Sequence, residues 1–306
     1  MAIRNVAIAG ATGNTGSAII KALLDSNRFQ ITALTRSDNT TKPIFPGNIN
    51  VRAVDYSDPS TLVDAIKGQD AVISALNHAF LGHQRALLDA SVSAGVQRFI
   101  PSEYGSDTLN PKAAPLPLFA HKKAEQQYIE DLAAQGKISY TIVINGPFLD
   151  FGLKHGFLGP DLRKRQMRYL DGGIAKFSTS TLATVAKAVV GVLTKLEETT
   201  NRAVYVQDTA LTLKDLFRLS KEALGEEGWT EVDGGTTEEK ERVSYEKLAS
   251  GQKDMGVFLG FLMSAIFREG YGGLFQRLDN ELLGIVELKE TEVVELIREI
   301  AKGQAA

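Results

Sequence analysis

A doubly wound, parallel α/β sheet with a smaller C-terminal α/β lobe is the architecture expected of this 306-residue chain. Through residues 1–150, short apolar runs alternate with segments of helical apolar spacing. The first run ends in a glycine-rich turn, and the alternation stops near residue 150, where the second lobe (151–306) is expected to begin. Strands that each return through a helix lie parallel, because a hairpin is too short to make that crossover.

Residues 6–9 form the first apolar run, and 19–24 carry the spacing of a buried helix face, so the chain opens strand, tight turn, helix. The runs 31–35, 51–54, 71–76, 98–101 and 140–144, mostly β-branched or apolar, read as further strands. Asp58 before Pro59 is an N-cap followed by a first-turn proline, for a helix ending near Lys67. Gly95 stops the helix that begins near Phe80. Glycines at 152, 156, 159, 172 and 173 then punctuate loops, while 182–196 and 213–224 read as helices. The run 203–206 is expected to return to the main sheet, interleaving the two lobes in sequence. The polar stretch 226–241, with Gly234 and Gly235, reads as an exposed connection. Met255–Phe267 reads as a buried helix, the other reading being an aromatic pocket wall built from Phe258, Phe261 and Phe267.

Composition narrows the function classes. Hydrophobic residues at 43% and charged residues at 23% are ordinary globular proportions, which argues against fibrous or disordered chains. With 34 basic against 37 acidic residues and no basic cluster interleaved with aromatics, a nucleic-acid footprint is absent and small-molecule partners are expected. Zero cysteines rule out a disulfide, a thiolate nucleophile and a cysteine zinc site, and fit a reducing compartment. His78, His83, His121 and His155 have no paired acidic ligand at metal spacing, so no metal is expected, and His121 is expected to be exposed. The longest apolar stretch, Met255–Phe267, is too short for a bilayer and the N-terminus reaches a strand at once; a cytoplasmic protein without membrane partners is expected.

The densest signal is Gly10-Ala11-Thr12-Gly13-Asn14-Thr15-Gly16, at the handover from first strand to first helix. Gly10 permits a turn closed to other residues, Gly13 lets backbone N–H groups approach a pyrophosphate, and Gly16 lets helix and strand pack closely. The spacing departs by one position from the common dinucleotide fingerprint, yet its placement between strand and helix points to a dinucleotide. Arg36 closes the second strand, where an acid would accept from a ribose hydroxyl and an arginine neutralises a 2′-phosphate. With Lys42 able to add charge from the following loop, NADP(H) is the expected cofactor. Ala75, Leu76 and Asn77 follow the fourth strand, and Ser102 and Glu103 the fifth, at the strand ends where open α/β sheets bind ligands.

Taken together, Gly10 to Gly16, Arg36, Pro101-Ser102-Glu103-Tyr104-Gly105, the Lys122 segment and Asn145-Gly146-Pro147-Phe148 resemble the NmrA-like, isoflavone-reductase-like family of atypical short-chain dehydrogenase/reductases. The resemblance implies a Rossmann-type NADP(H) domain with a substrate lobe over the nicotinamide. It implies a catalytic lysine early on the helix after Tyr104-Gly105, seven residues before an apolar-Glu pair; Ile129-Glu130 selects Lys122, with Lys123 as the alternative. It also implies that Asn145, Pro147 and Phe148 run beside the nicotinamide, with Tyr104 and Phe148 near the substrate; Phe148 read alone is equally a core aromatic.

The Tyr-x-x-x-Lys pair of ordinary short-chain dehydrogenases is missing, since Phe119 precedes Lys123 by four, so Lys122 is left to act as general acid or base. Helix-dipole and cofactor charge are expected to lower its pKa. The expected activity is NADPH-dependent reduction of a small aromatic or conjugated substrate. Two other readings stay open: an NADP(H)-sensing regulator without turnover, and an NADP(H)-bound non-redox cyclase or isomerase. Plant phenylpropanoid reductases of the family usually carry a basic pair soon after the lysine; here the stretch is Ala124-Glu125-Gln126-Gln127-Tyr128, so their substrates do not transfer directly.

Overall fold

The computed structural model describes residues 2–38, 43 and 45–305. Its centre is a seven-stranded, all-parallel sheet. Six strands come from the first half: β1 (Asn5–Ala9), β2 (Gln30–Arg36), β3 (Asn50–Val54), β4 (Ala71–Ser74), β5 (Arg98–Ile100) and β6 (Ser139–Ile144). Six shorter strands follow: β7 (Pro160–Asp161), β8 (Gln166–Tyr169), β9 (Phe177–Thr179), β10 (Arg202–Tyr205), β11 (Thr209–Leu211) and β12 (Thr230–Asp233). The sheet order is β3-β2-β1-β4-β5-β6-β10, so the winding reverses between β1 and β4. The expected return of the chain is therefore present: β10 pairs in parallel with β6 and completes the sheet.

Helices cover both faces. On one face α1 (Asn14–Asp25) and α6 (Leu182–Thr194) pack together over Ile8, Ile73, Ile100 and Val143. On the other, α2 (Pro59–Ile66), α3 (Gln84–Ser93) and α4 (Ala120–Ala134) cover Val72, Phe99, Tyr140 and Ile142. Local chemistry sets the helix ends as expected. The Asp58 carboxylate accepts from the Ser60 N–H ahead of α2, with Pro59 in its first turn, and Gly95 leaves α3 at φ +72°. The start of the α3 segment differs from expectation: residues His78–His83 form a 3-10 turn before α3 proper.

Beyond α5 (Leu149–Lys154), a separate apolar cluster joins α5, α7 (Leu213–Leu224), α9 (Met255–Phe267) and α10 (Glu290–Ala305) through Leu153, Leu216, Phe267 and Ile297. The stretch 226–241 is not a mere connection. It contains β12, paired in parallel with β8, and the first turns of α8 (Thr237–Ala249), whose cap is the Thr236 hydroxyl accepting from the Glu239 N–H. The polar sequence hides this because β12 is an edge strand with only Val232 turned partly inward. Helix α9 is largely buried, as expected: Val257, Phe261 and Ala265 pack on Ala113, Leu116 and Phe119, and the side left open is apolar too, with Met255 66% exposed.

The link between α6 and β10 is fixed by a buried arginine. Arg98, 1% exposed, spends all five N–H groups. Nε donates to Ser139 Oγ (2.9 Å), Nη1 to Thr141 Oγ1 (2.7 Å) and Thr199 Oγ1 (3.1 Å), and Nη2 to Leu196 O (2.8 Å) and Thr200 Oγ1 (2.7 Å). Burial lowers its pKa to about 10, so it remains charged at neutral pH. A cavity of about 810 Å³ opens beside it on the amino-terminal edge of the sheet, opposite the glycine turn. With its donors saturated, Arg98 serves as a tie between strands and offers that cavity no free N–H.

Candidate functional site at the carboxyl rim

The winding reversal between β1 and β4 makes a crevice at the carboxyl ends of the strands. The glycine turn lies on it. Gly10 sits at φ +79°, and a Cβ there would lie 2.2 Å from the Ala75 carbonyl oxygen, so only glycine lets β1 turn against the end of β4. A Cβ on Gly16 would meet Gly10 O at 2.1 Å, which is the close helix approach expected of that position. Helix α1 starts at Gly13 with no side-chain cap and no acid in its first turn, leaving its N–H groups and dipole open to an anion. Thr12, Gly13 and Asn14 are exposed around that end, and Thr15 is half-buried.

Arg36 ends β2, half-exposed, with its guanidinium 4.7 Å from the centroid of Phe80. Its Nε also lies 3.5 Å from Asp38, a solvent-exposed partner the sequence reading did not weigh; such a pair contributes little and yields to a stronger anion. Lys42 lies outside the described residues. Ala75 and Leu76 are buried at the end of β4, and Asn77 is exposed where the 3-10 turn begins. Ser102 is occupied in tying strand ends together, its hydroxyl donating to Leu76 O (2.7 Å) and its N–H to Gln84 Oε1 (2.7 Å).

Lys122 stands in the first turn of α4, its amine reaching the stretch that follows β5. Its side chain is 19% exposed, its Nζ donates to the main-chain carbonyl of Glu103, and the Glu103 carboxylate lies 3.8 Å away. Lys123 and His121, its neighbours, are exposed. Burial lowers the Lys122 pKa and the Glu103 charge opposes that. The expected direction is thus present, with desolvation as the leading cause in place of the helix dipole. Phe119 is buried against α9, so no phenol occupies that position.

Glu103 itself is 2% exposed, and its Oε2 accepts from Thr108 Oγ1 (3.1 Å), which in turn accepts from Gln126 Nε2 (2.6 Å). Thr108 and Gln126 were not singled out in sequence; Gln126 lies four residues after Lys122, the helical spacing that signals a shared face. Tyr104 is half-buried and packs toward the α1/α6 layer, its hydroxyl enclosed without a hydrogen-bond partner among the described residues. Asn145 is buried at the end of β6, Nδ2 donating to Gly146 O (2.7 Å), while its Oδ1 has no partner among the described residues. Pro147 and Phe148 are half-buried, and Phe148 bridges to Ser180 beside β9. From the second half, α9 reaches the rim, with the Phe258 ring 5.8 Å from His78. Among the described residues no group of acidic and histidine side chains is arranged to hold a metal, and no helix is long and apolar enough to cross a membrane.

Comparison with known proteins places this arrangement. Oxidoreductase aprR of Aspergillus flavus is 34% identical over 302 residues, covering 97% of this chain and 99% of that protein. Phenylcoumaran benzylic ether reductase 1 of Arabidopsis thaliana is 33% identical over 146 residues, 45% of this chain and 44% of its own length. The leucoanthocyanidin reductase–NADPH complex from Vitis vinifera superposes with a TM-score of 0.76 at 19% identity, over 97% of this chain and 99% of that one. The NmrA-like family model matches residues 3–230, so the sheet, the glycine turn and the Lys122 helix all lie within the match, and the chain belongs to the NmrA-like family.

Proposed function

We propose that this protein is an NADPH-dependent oxidoreductase that reduces a small aromatic or conjugated organic substrate, with Lys122 as the group that moves the proton. The observation that carries the reading is the inward-turned Lys122 amine, held at the carboxyl rim beside the crevice that the uncapped α1 terminus also faces. The activity in the name of the full-length Aspergillus relative, and the NADPH in the Vitis complex, support it.

The residues fit the cofactor. The open N–H groups at Gly13 and the close approach at Gly10 suit a pyrophosphate, and Arg36 suits a 2′-phosphate. Asn145, with an unpaired buried oxygen, and the half-buried Pro147 and Phe148 would wall the nicotinamide. NADP(H), when bound, supplies the hydride. Lys122 then holds or releases a proton at Nζ, and its partial burial excludes bulk water from that exchange. Phe258, half-buried beside His78, gives the rim apolar surface, which suits a flat, weakly polar substrate.

Stoichiometric loss of NADPH absorbance across a panel of enones, imines and phenolic ethers tests the reading; tight NADPH binding without turnover of any of them favours a cofactor-sensing regulator. The cofactor preference has its own test. Losing one charge-assisted hydrogen bond to a phosphate removes about 1.5–3 kcal/mol, so Arg36→Ala is expected to reduce the NADPH over NADH affinity ratio by roughly ten- to a hundredfold. An unchanged ratio by fluorescence titration removes Arg36 from the phosphate site.

A further inference from the structure

We infer that Glu103 is a positioning residue for Lys122, fixing the amine at the rim with its main-chain carbonyl and holding it protonated with its side-chain carboxylate. The purpose of that protonation rests on the function proposed above; the pairing rests on the geometry alone. Both contacts come from one residue: the Nζ donates to Glu103 O, and Oε2 stands 3.8 Å from it. The carboxylate is nearly sealed from solvent, where a charge persists only with compensation. Part of that compensation is a closed circuit, since Thr108 Oγ1 donates to Oε2 and is itself held by Gln126, one turn along the helix that carries Lys122. The circuit fixes the carboxylate relative to α4, so the carboxylate and the amine it faces move together.

A packing role alone does not account for this. A neutral glutamine or leucine fills space equally well without the cost of burying a charge. The other oxygen, Oε1, has no partner among the described residues, so the amine is the main opposing charge Glu103 meets. The remaining charged groups nearby are already engaged. Glu125 on α4 is paired with Arg85 from α3 at 2.9 Å, and its negative charge makes Glu103 harder to ionise. Tyr104 follows Glu103 in the chain with its hydroxyl enclosed, and its phenol is pushed well above the ordinary range by burial. His121 and Lys123 lie on the exposed side of α4. Burial drives both members of the pair toward neutrality, and each charge opposes that for the other.

The test needs no substrate. Trace acetylation of the full chain with acetic anhydride across pH, read at Lys122 by tandem mass spectrometry with Lys123 as internal reference, gives the titration midpoint of the amine. Glu103→Gln keeps an oxygen for the Thr108 donor and removes the charge, and is expected to lower the Lys122 midpoint by about 1–3 pH units, the effect of an opposite charge at this range. Glu103→Asp, which restores the charge at a longer distance, is expected to recover part of that shift. An unchanged midpoint in Glu103→Gln overturns the inference. Should that variant not fold, Thr108→Val carries the measurement: without its hydroxyl donor the carboxylate ionises less readily, so the midpoint falls, and a midpoint that stays put overturns the inference equally. NADPH affinity measured in the same proteins separates the two claims. A wild-type chain that does not bind NADPH defeats the proposed function and leaves the midpoint result standing.

Discussion

Lys122→Ala is expected to retain NADPH affinity while losing roughly 10²–10⁴-fold in turnover, the usual share of a positioned general acid or base. The substitution leaves no ionised orphan behind, because a buried Glu103 without its amine takes up a proton and becomes neutral. Loss of rate thus reports the missing amine and not a damaged fold. Initial rates on whichever panel substrate the wild-type chain reduces, together with a fluorescence titration of NADPH, check it; equal turnover removes Lys122 from the chemistry. The sign of the pH dependence follows from the same site. A lysine that donates a proton is active while protonated, so turnover declines as pH rises through its lowered pKa, and the alkaline limb lies below the ordinary lysine value of about 10.4.

The second large effect is on stability. Arg98→Met is expected to cost about 3–5 kcal/mol, the range for dismantling a buried, hydrogen-bonded charge, since the methionine fills the space but satisfies none of the five acceptor contacts around it. Arg98→Lys is expected to recover little, because a single ammonium has three donors and cannot span Ser139, Thr199 and Leu196 at once. Urea unfolding checks both: the midpoint shifts downward with the slope unchanged. A shift worth less than about 1 kcal/mol would mean that the loop 195–201 holds without this tie.

The features legible in sequence are those with strong local causes. The glycine turn was readable because Gly10 and Gly16 are positions where any Cβ would strike backbone, and backbone collisions leave few substitutes. The central strands β1, β4, β5 and β6 were readable because burial on both faces makes them nearly continuous apolar runs. Strand β12 was not, since an edge strand with one half-buried valine has no apolar rhythm to detect. The Lys122 amine was found through the family resemblance, and the reason for its perturbed proton affinity only through the structure, because the chain separation of 19 residues between it and Glu103 carries no periodic signal. Asp38 beside Arg36 was missed for a related reason: two residues past a strand end, the turn decides where a side chain points, and the sequence does not.

The origin of β10 has a consequence for how such a protein can diversify. Because the last strand of the central sheet and the helix packed on α1 are both supplied by residues after 180, a hybrid spliced near residue 150 would bring a foreign edge strand to β6 and a foreign helix to α1. Swapping whole halves between relatives therefore tears the scaffold itself, and such a protein is expected to diversify through point changes in place of exchanged modules.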